Sequence, residues 1–136
     1  MLEWINSDKG KHWLAISSLL LAAIHFILEM TYTLVLGQSF LGLLPDLVAD
    51  ALLVFGSYLL LKNNQSTGVI CGAWGFTLCL NYRAWAWRYE ASMTAAIDGV
   101  EANVMLVLAS SMVISLAFFL ITIAINLAEP PDGASN

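Results

Sequence analysis

The sequence predicts an all-α integral membrane protein, folded as an antiparallel bundle of four transmembrane helices. Of its 136 residues, 60% are hydrophobic and only 11% are charged, whereas a soluble domain carries about 25% charged residues. Four apolar runs are near the length of about 20 helical residues that crosses a hydrocarbon core. The segments between the runs are short, which favours neighbouring helices that alternate in direction. We therefore expect a single domain over 1–128.

The first two spans are predicted over 13–37 and 41–62. Gly37-Gln38-Ser39 turns the chain after the first helix. Pro45 followed by Asp46 is typical of a helix start, with proline in the first turn and an acid beside the positive end of the helix dipole. The second helix is therefore expected to begin near Leu41 or at Pro45.

The third and fourth spans are predicted over 68–88 and 103–127. A polar turn over 62–68 precedes the third span, and a loop over 89–102 follows it, in which Gly99 is expected to interrupt any helix. On the third helix, Gly68, Gly72 and Gly75 favour close approach of another helix. The segment 129–136 contains Pro130 and Pro131 and is expected to be a mobile acidic tail.

The distribution of basic residues predicts an orientation, because cytoplasmic ends of membrane helices are enriched in lysine and arginine. Lys9, Lys11 and Lys62 fall at one side of the predicted bundle, and Arg83 and Arg88 approach the other. This three-to-two bias favours both termini in the cytoplasm and the acidic loop over 89–102 outside. The expected location is the plasma or inner membrane, and the lipid bilayer is the expected partner.

Ionisable side chains within the spans are costly to bury in lipid, so each requires a partner, a ligand or water. His25 and Glu29 are spaced i,i+4 and share one face of the first helix, and Asp46 and Asp50 repeat that spacing on the second. The antiparallel topology brings both pairs to the same side of the membrane as the polar end of the third helix. The predicted ligand- or ion-binding pocket consists of His25, Glu29, Asp46, Asp50, Asn81, Arg83, Tyr82 and Trp85.

Charge accounting makes this pocket acidic. Glu29, Asp46 and Asp50 supply three negative charges if ionised, and Arg83 supplies one positive charge. A carboxylate without a partner in a low dielectric takes up a proton rather than remaining charged. The pocket is therefore expected to hold protons, to bind a cation or to open to water.

Each member of the pocket also has a structural interpretation. Asp46 suits the N-terminal turn of a helix at the interface, Asp50 and Arg83 suit a salt bridge between helices, and His25 suits a hydrogen-bonded packing position. Glu29 has the fewest structural explanations because it lies deepest among the acids.

The end of the third helix is open to two interpretations as well. Tyr82 and Trp85 suit the wall of a ligand pocket, and they also suit the aromatic belt at a membrane interface. Arg88 and Glu90 are expected to be solvated interface charges.

Three function classes remain open. The first is binding or transport of a cation, a proton, a small amine or a lipophilic ligand. The second is a non-catalytic subunit of a larger membrane complex, in which buried charges specify assembly, and a homo-oligomer is compatible with both classes. The net charge of −5 excludes a nucleic-acid partner, which requires a basic surface.

The third class is an intramembrane acid–base enzyme with a lipophilic substrate. The pair His25-xxx-Glu29 in the first helix resembles the sterol-isomerase-like (EXPERA) four-helix family, and that resemblance implies an isomerase. It covers the first helix alone, and the second-helix glutamate and the Trp-Gly-Pro pattern of that family are absent. A metal-dependent enzyme would use His25, Glu29, Asp46 and Asp50. A haem site with two histidine ligands is disfavoured because His25 is the single histidine within a span.

Overall fold

The computed structural model describes residues 7–63, 67–94 and 98–128. Within these ranges the chain forms the helices α1 (Asp8–Leu36), α2 (Phe40–Asn63), α3 (Thr67–Ser92) and α4 (Gly99–Ala128). Three of them, α1, α2 and α4, are long and apolar enough to cross a membrane. α3 has 26 residues, but its second half carries Asn81, Arg83 and Arg88, which lower its hydropathy. The tail over 129–136 lies outside the described residues.

α1 is capped at both ends by its own sequence. The Ser7 hydroxyl accepts a hydrogen bond from the Gly10 backbone N–H at 3.2 Å, which satisfies one of the free N–H groups of the first turn. Gly37 follows the helix in the left-handed conformation, with φ of 70°, and its N–H donates to the Thr33 carbonyl at 3.0 Å. A residue without a Cβ adopts this conformation with little strain, so the turn at Gly37 fixes where α1 ends.

α2 begins at Phe40, five residues before the alternative predicted start at Pro45. Ser39 provides the cap instead, because its side-chain oxygen accepts from the Gly42 N–H at 3.2 Å. Pro45 lies inside the helix, where its missing N–H leaves the Leu41 carbonyl without a helical partner. Asp46 is consequently in the second turn of α2 and not at its N-terminus.

The connection between α3 and α4 is shorter than predicted. α3 continues to Ser92, and Gly99, expected to interrupt a helix, is the first residue of α4. The reason is a cap at Asp98, whose carboxylate accepts from the Glu101 N–H at 2.7 Å and whose carbonyl accepts from the Ala102 N–H at 3.1 Å. A capping carboxylate at this position outweighs the poor helix propensity of one glycine.

Consecutive helices pack against each other: α1 on α2, α2 on α3, and α3 on α4. The closest backbone approach involves Gly56 of α2, where an added Cβ would lie 2.9 Å from the Ile70 Cα. The predicted glycine contact surface on α3 is wrong in part. A Cβ on Gly68 or Gly72 would meet no atom within 4 Å, whereas one on Gly75 would lie 3.0 Å from the Phe119 ring.

The core of the bundle is centred on Trp74 of α3, which is 2% exposed. Its indole Nε1–H donates to the Ser18 hydroxyl of α1 at 3.0 Å, and its ring lies 4.6 Å from the Phe118 ring of α4. Phe118 also stacks on Trp13 at 6.1 Å. Side chains alone connect α1 with α4, since among the described residues no Cα atoms of these two helices lie within 8 Å of each other.

Candidate functional site

An ion pair between α1 and α2 forms the centre of the candidate site. His25 Nδ1 lies 2.9 Å from Asp50 Oδ1, and both side chains are largely withdrawn from the surface. With Asp50 ionised, its oxygens can only accept, so Nδ1–H of His25 is the donor. This bond leaves Nε2 of His25 free to accept a hydrogen bond or to bind a metal ion.

Three side chains around this pair form a set of potential metal ligands. One ligand atom each of His25, Glu29 and Asp46 lies within 4.8 Å of the other two. All three residues are partly buried, and the i,i+4 spacing places His25 above Glu29 on one face of α1. The structure therefore brings together four of the predicted site residues, these three and Asp50.

The fourth residue, Asp50, is the most deeply buried acid of the group. It is 7% exposed, and its second carboxylate oxygen, Oδ2, is buried without a hydrogen-bond partner. A buried oxygen of this kind costs on the order of 1–3 kcal/mol unless a proton, a cation or water compensates it. The cluster thus contains unused capacity for a positive charge.

The arginines near the site do not neutralise it. Asp50 pairs with His25 and not with Arg83, so the predicted Asp50–Arg83 salt bridge is wrong; Arg83 is exposed. Arg88, expected to be a solvated interface charge, is bound on both sides. Its Nη1 donates to Glu101 of α4 at 2.6 Å, and its Nη2 donates to the Tyr32 hydroxyl of α1. Glu90, with the same expectation, is exposed.

The remaining predicted site residues do not join the acidic cluster. Asn81 is buried and donates to the Ser115 hydroxyl of α4 at 3.1 Å. Tyr82 is 59% exposed, and Trp85 stacks on Tyr89 with 5.1 Å between ring centroids. Tyr82 and Trp85 therefore lie where an aromatic interface belt would place them, and neither lines the two cavities that border the cluster.

Two cavities border the cluster, and each shares one residue with it. The vestibule, about 760 Å³, is polar and includes Asp46. The cleft, about 340 Å³, is almost entirely apolar and includes His25. The other residues that line the vestibule include Tyr32, Gln38, Pro45, Arg83, Trp87 and Arg88.

Some residues that build the site have no clear signal in the sequence. Trp74 reads as one apolar residue in an apolar run, although it fills the bundle beneath the cluster. Tyr32 and Arg88 are 56 positions apart, and their pairing depends on how α1 and α3 lie side by side. The i,i+4 acids were detectable because that spacing alone places them on one helix face.

These contacts define a compact polar centre of one histidine and three acids, open to a polar cavity at one side and to an apolar cavity at another. Comparison with protein-family models, with curated proteins and with solved structures found no match of this chain in any of the three.

Proposed function

We propose that this chain is a membrane protein whose four helices cross the bilayer as an antiparallel bundle, and that its acidic cluster binds a divalent transition-metal cation. The apolar exterior supports the first part. Only 6% of the most apolar window of α4 is buried within the chain. Large side chains such as Leu34, Leu41 and Leu127 are more than three-quarters exposed. A soluble monomer does not present an apolar surface of that extent.

α3 crosses the bilayer with the others, although it is the most polar of the four. It packs between α2 and α4, so Asn81 points at Ser115 and Arg88 at Glu101, rather than at lipid. A helix of 26 residues is about 39 Å long at 1.5 Å per residue, which exceeds the hydrocarbon thickness of about 30 Å.

The convergence of His25, Glu29 and Asp46 carries the metal proposal. Ligand atoms around a zinc-sized ion at about 2.1 Å lie no more than about 4.2 Å apart, so the observed limit of 4.8 Å requires closure by less than about 1 Å. One imidazole with two carboxylates suits Zn²⁺, Mn²⁺ or Fe²⁺. Ca²⁺ and Mg²⁺ prefer ligand sets of oxygen alone.

Asp50 completes the arrangement from behind His25. Histidine ligands commonly donate their second ring N–H to a carboxylate, which fixes the ring and makes the ligating nitrogen more basic. The bond from His25 Nδ1 to Asp50 has this form and directs Nε2 toward the remaining ligands. A divalent cation would also offset two of the three negative charges, which are otherwise costly at low dielectric.

The vestibule gives the cation its route to the site. It reaches Asp46 from the end of the bundle at which Gly37 joins α1 to α2. On the other side of the cluster the bundle is filled by Trp74, whose indole is bound to Ser18, two helical turns before His25. Access is therefore one-sided in the part of the chain that the structure describes.

The test is calorimetric titration of the full chain in lipid nanodiscs with Zn²⁺, Mn²⁺ and Mg²⁺. We expect one Zn²⁺ or Mn²⁺ per chain and much weaker Mg²⁺ binding. His25→Gln and Glu29→Gln should abolish this binding. The matched controls His12→Gln and Glu90→Gln alter exposed residues outside the cluster and should leave it unchanged. The proposal is wrong if no divalent metal binds, or if each variant and its control bind equally well.

A further inference from the structure

The cleft between α1 and α4 is a second cavity with its own chemistry. Its walls are aliphatic: Leu21, Ile24 and Leu28 from α1, and Leu106, Val107 and Ile114 from α4. Trp74 and Asn81 of α3 form part of its floor. Its volume of about 340 Å³ is within the range of about 300–1,000 Å³ typical of small-molecule sites, and about twice the ~150 Å³ that accommodates one benzene ring.

The cleft opens to the side of the bundle. Ile24 is 46% exposed and Leu106 67% exposed, and among the described residues α1 and α4 have no Cα atoms within 8 Å of each other. Further along the two helices, the stack of Trp13 on Phe118 closes this gap. If the helices cross a membrane, the opening faces the acyl chains of the bilayer, so a ligand can enter from the lipid without passing through the vestibule.

The polar end of the cleft is the His25 ring, which the cleft shares with the acidic cluster. Because Nδ1 is bound to Asp50, Nε2 is an acceptor and calls for a donor on the ligand. Behind it lie three carboxylates, including the buried Asp50 Oδ2 that has no partner. Complementarity to this end requires a group that donates hydrogen bonds and carries positive charge.

We propose that the cleft binds the hydrocarbon chain of an amphiphilic amine taken from the bilayer, with its ammonium group in the acidic cluster. The proposal rests on the proposed function for its polar end, since the ammonium group occupies the place of the metal ion. Amine and metal therefore compete for one cluster, but only the amine requires the cleft. An alkylamine is protonated at neutral pH, as a lysine side chain is.

The test uses three probes with the same chain, decylamine, decanol and decanoate, titrated into the full chain in nanodiscs with empty nanodiscs as the blank. We expect decylamine to bind at least about tenfold more tightly than decanol, the lower end for hydrogen bonds to a charged group, and decanoate to bind weakest. Saturation with Zn²⁺ should raise the apparent Kd for decylamine. Glu29→Gln should remove the preference for the amine.

Two matched variants separate the cleft from the cluster. Val107→Trp fills the cleft, and Val113→Trp places the same side chain on an exposed position of α4 that does not line it. Val107→Trp should abolish decylamine binding and retain Zn²⁺ binding, and Val113→Trp should retain both. Equal binding of the three probes, or unchanged decylamine binding in Val107→Trp, would overturn the amine proposal. Zn²⁺ binding without amine binding would overturn this inference alone, whereas loss of both in the wild type would overturn the proposed function as well.

Discussion

Asp50 is the residue whose replacement tests the site most directly, because it contacts His25 and is not itself in the set of three potential metal ligands. Asp50→Asn preserves the size of the side chain and an oxygen that can accept from Nδ1 of His25, but it removes the negative charge. Asp50→Leu removes the acceptor as well, at similar volume. The pair therefore separates the contribution of charge from that of ring orientation.

The expected magnitude follows from the position of Asp50 behind a ligand. Removing such a partner of a metal-binding histidine weakens metal affinity by about 10- to 100-fold, or about 1.4–2.7 kcal/mol. We expect Asp50→Asn near the lower figure and Asp50→Leu near the upper one. The metal-free protein should respond differently. The Asp50 carboxylate is buried with one oxygen unpartnered, so Asp50→Asn should change the free energy of unfolding by no more than about 1 kcal/mol.

The assay combines Zn²⁺ titration with thermal unfolding, each in the presence and absence of metal. Metal-dependent stabilisation should shrink in both variants, while the melting temperature without metal stays near that of the wild type. Glu90→Gln, which removes one exposed charge, is the control. Unchanged Zn²⁺ affinity in Asp50→Leu would refute the role of Asp50 in orienting His25.

Three further predictions concern the fold. Gly56→Ala should destabilise the bundle by about 1–3 kcal/mol because the new methyl group meets the Ile70 backbone, seen as a lower melting temperature in detergent. Trp74→Phe keeps a ring in the core but leaves the Ser18 hydroxyl without its donor, so unfolding should become easier by about 1–3 kcal/mol. Gly37→Ala should cost about 1 kcal/mol in thermal unfolding, since alanine is strained at positive φ.

Each of these variants has a control within the chain. Gly72→Ala adds a methyl group where no atom lies within 4 Å, so it should be neutral or stabilising. Trp85→Phe removes an indole outside the core and should have little effect. Gly37→Asn should cost less than Gly37→Ala, because asparagine tolerates the left-handed conformation. Equal melting temperatures of Gly56→Ala and Gly72→Ala would contradict the close packing of α2 on α3.

Helix boundaries show where local sequence signals failed. Pro45 was interpreted as a helix start, but a capping serine five residues before a proline's second-turn position begins the helix earlier, and Ser39 does so. Gly99 was interpreted as a helix breaker, although Asp98 before it supplies the cap. In both cases a side-chain acceptor for the free N–H groups of the first turn outweighed the propensity of one residue.

The partners of the charged residues show a different limit. The spacing of His25 and Glu29, and of Asp46 and Asp50, was enough to expect both pairs on helix faces that meet. It was not enough to choose between Arg83 and His25 as the partner of Asp50, since that choice depends on the rotation of each helix about its axis. A helix turns by about 100° per residue, so an error of one position moves a side chain from the interior to the surface.

The sequence by itself determined the helical class, the number of helices and the acidic character of one end, because run length, composition and i,i+4 spacing are local properties of a chain. Only the tertiary structure decided that His25 lies between Asp50 and the other acids, that Arg88 is bound to Tyr32 and Glu101, and that α1 and α4 leave a cleft. These contacts join residues from helices whose mutual rotation and spacing are set by packing, around Trp74 and Gly56 above all, and no local pattern encodes them.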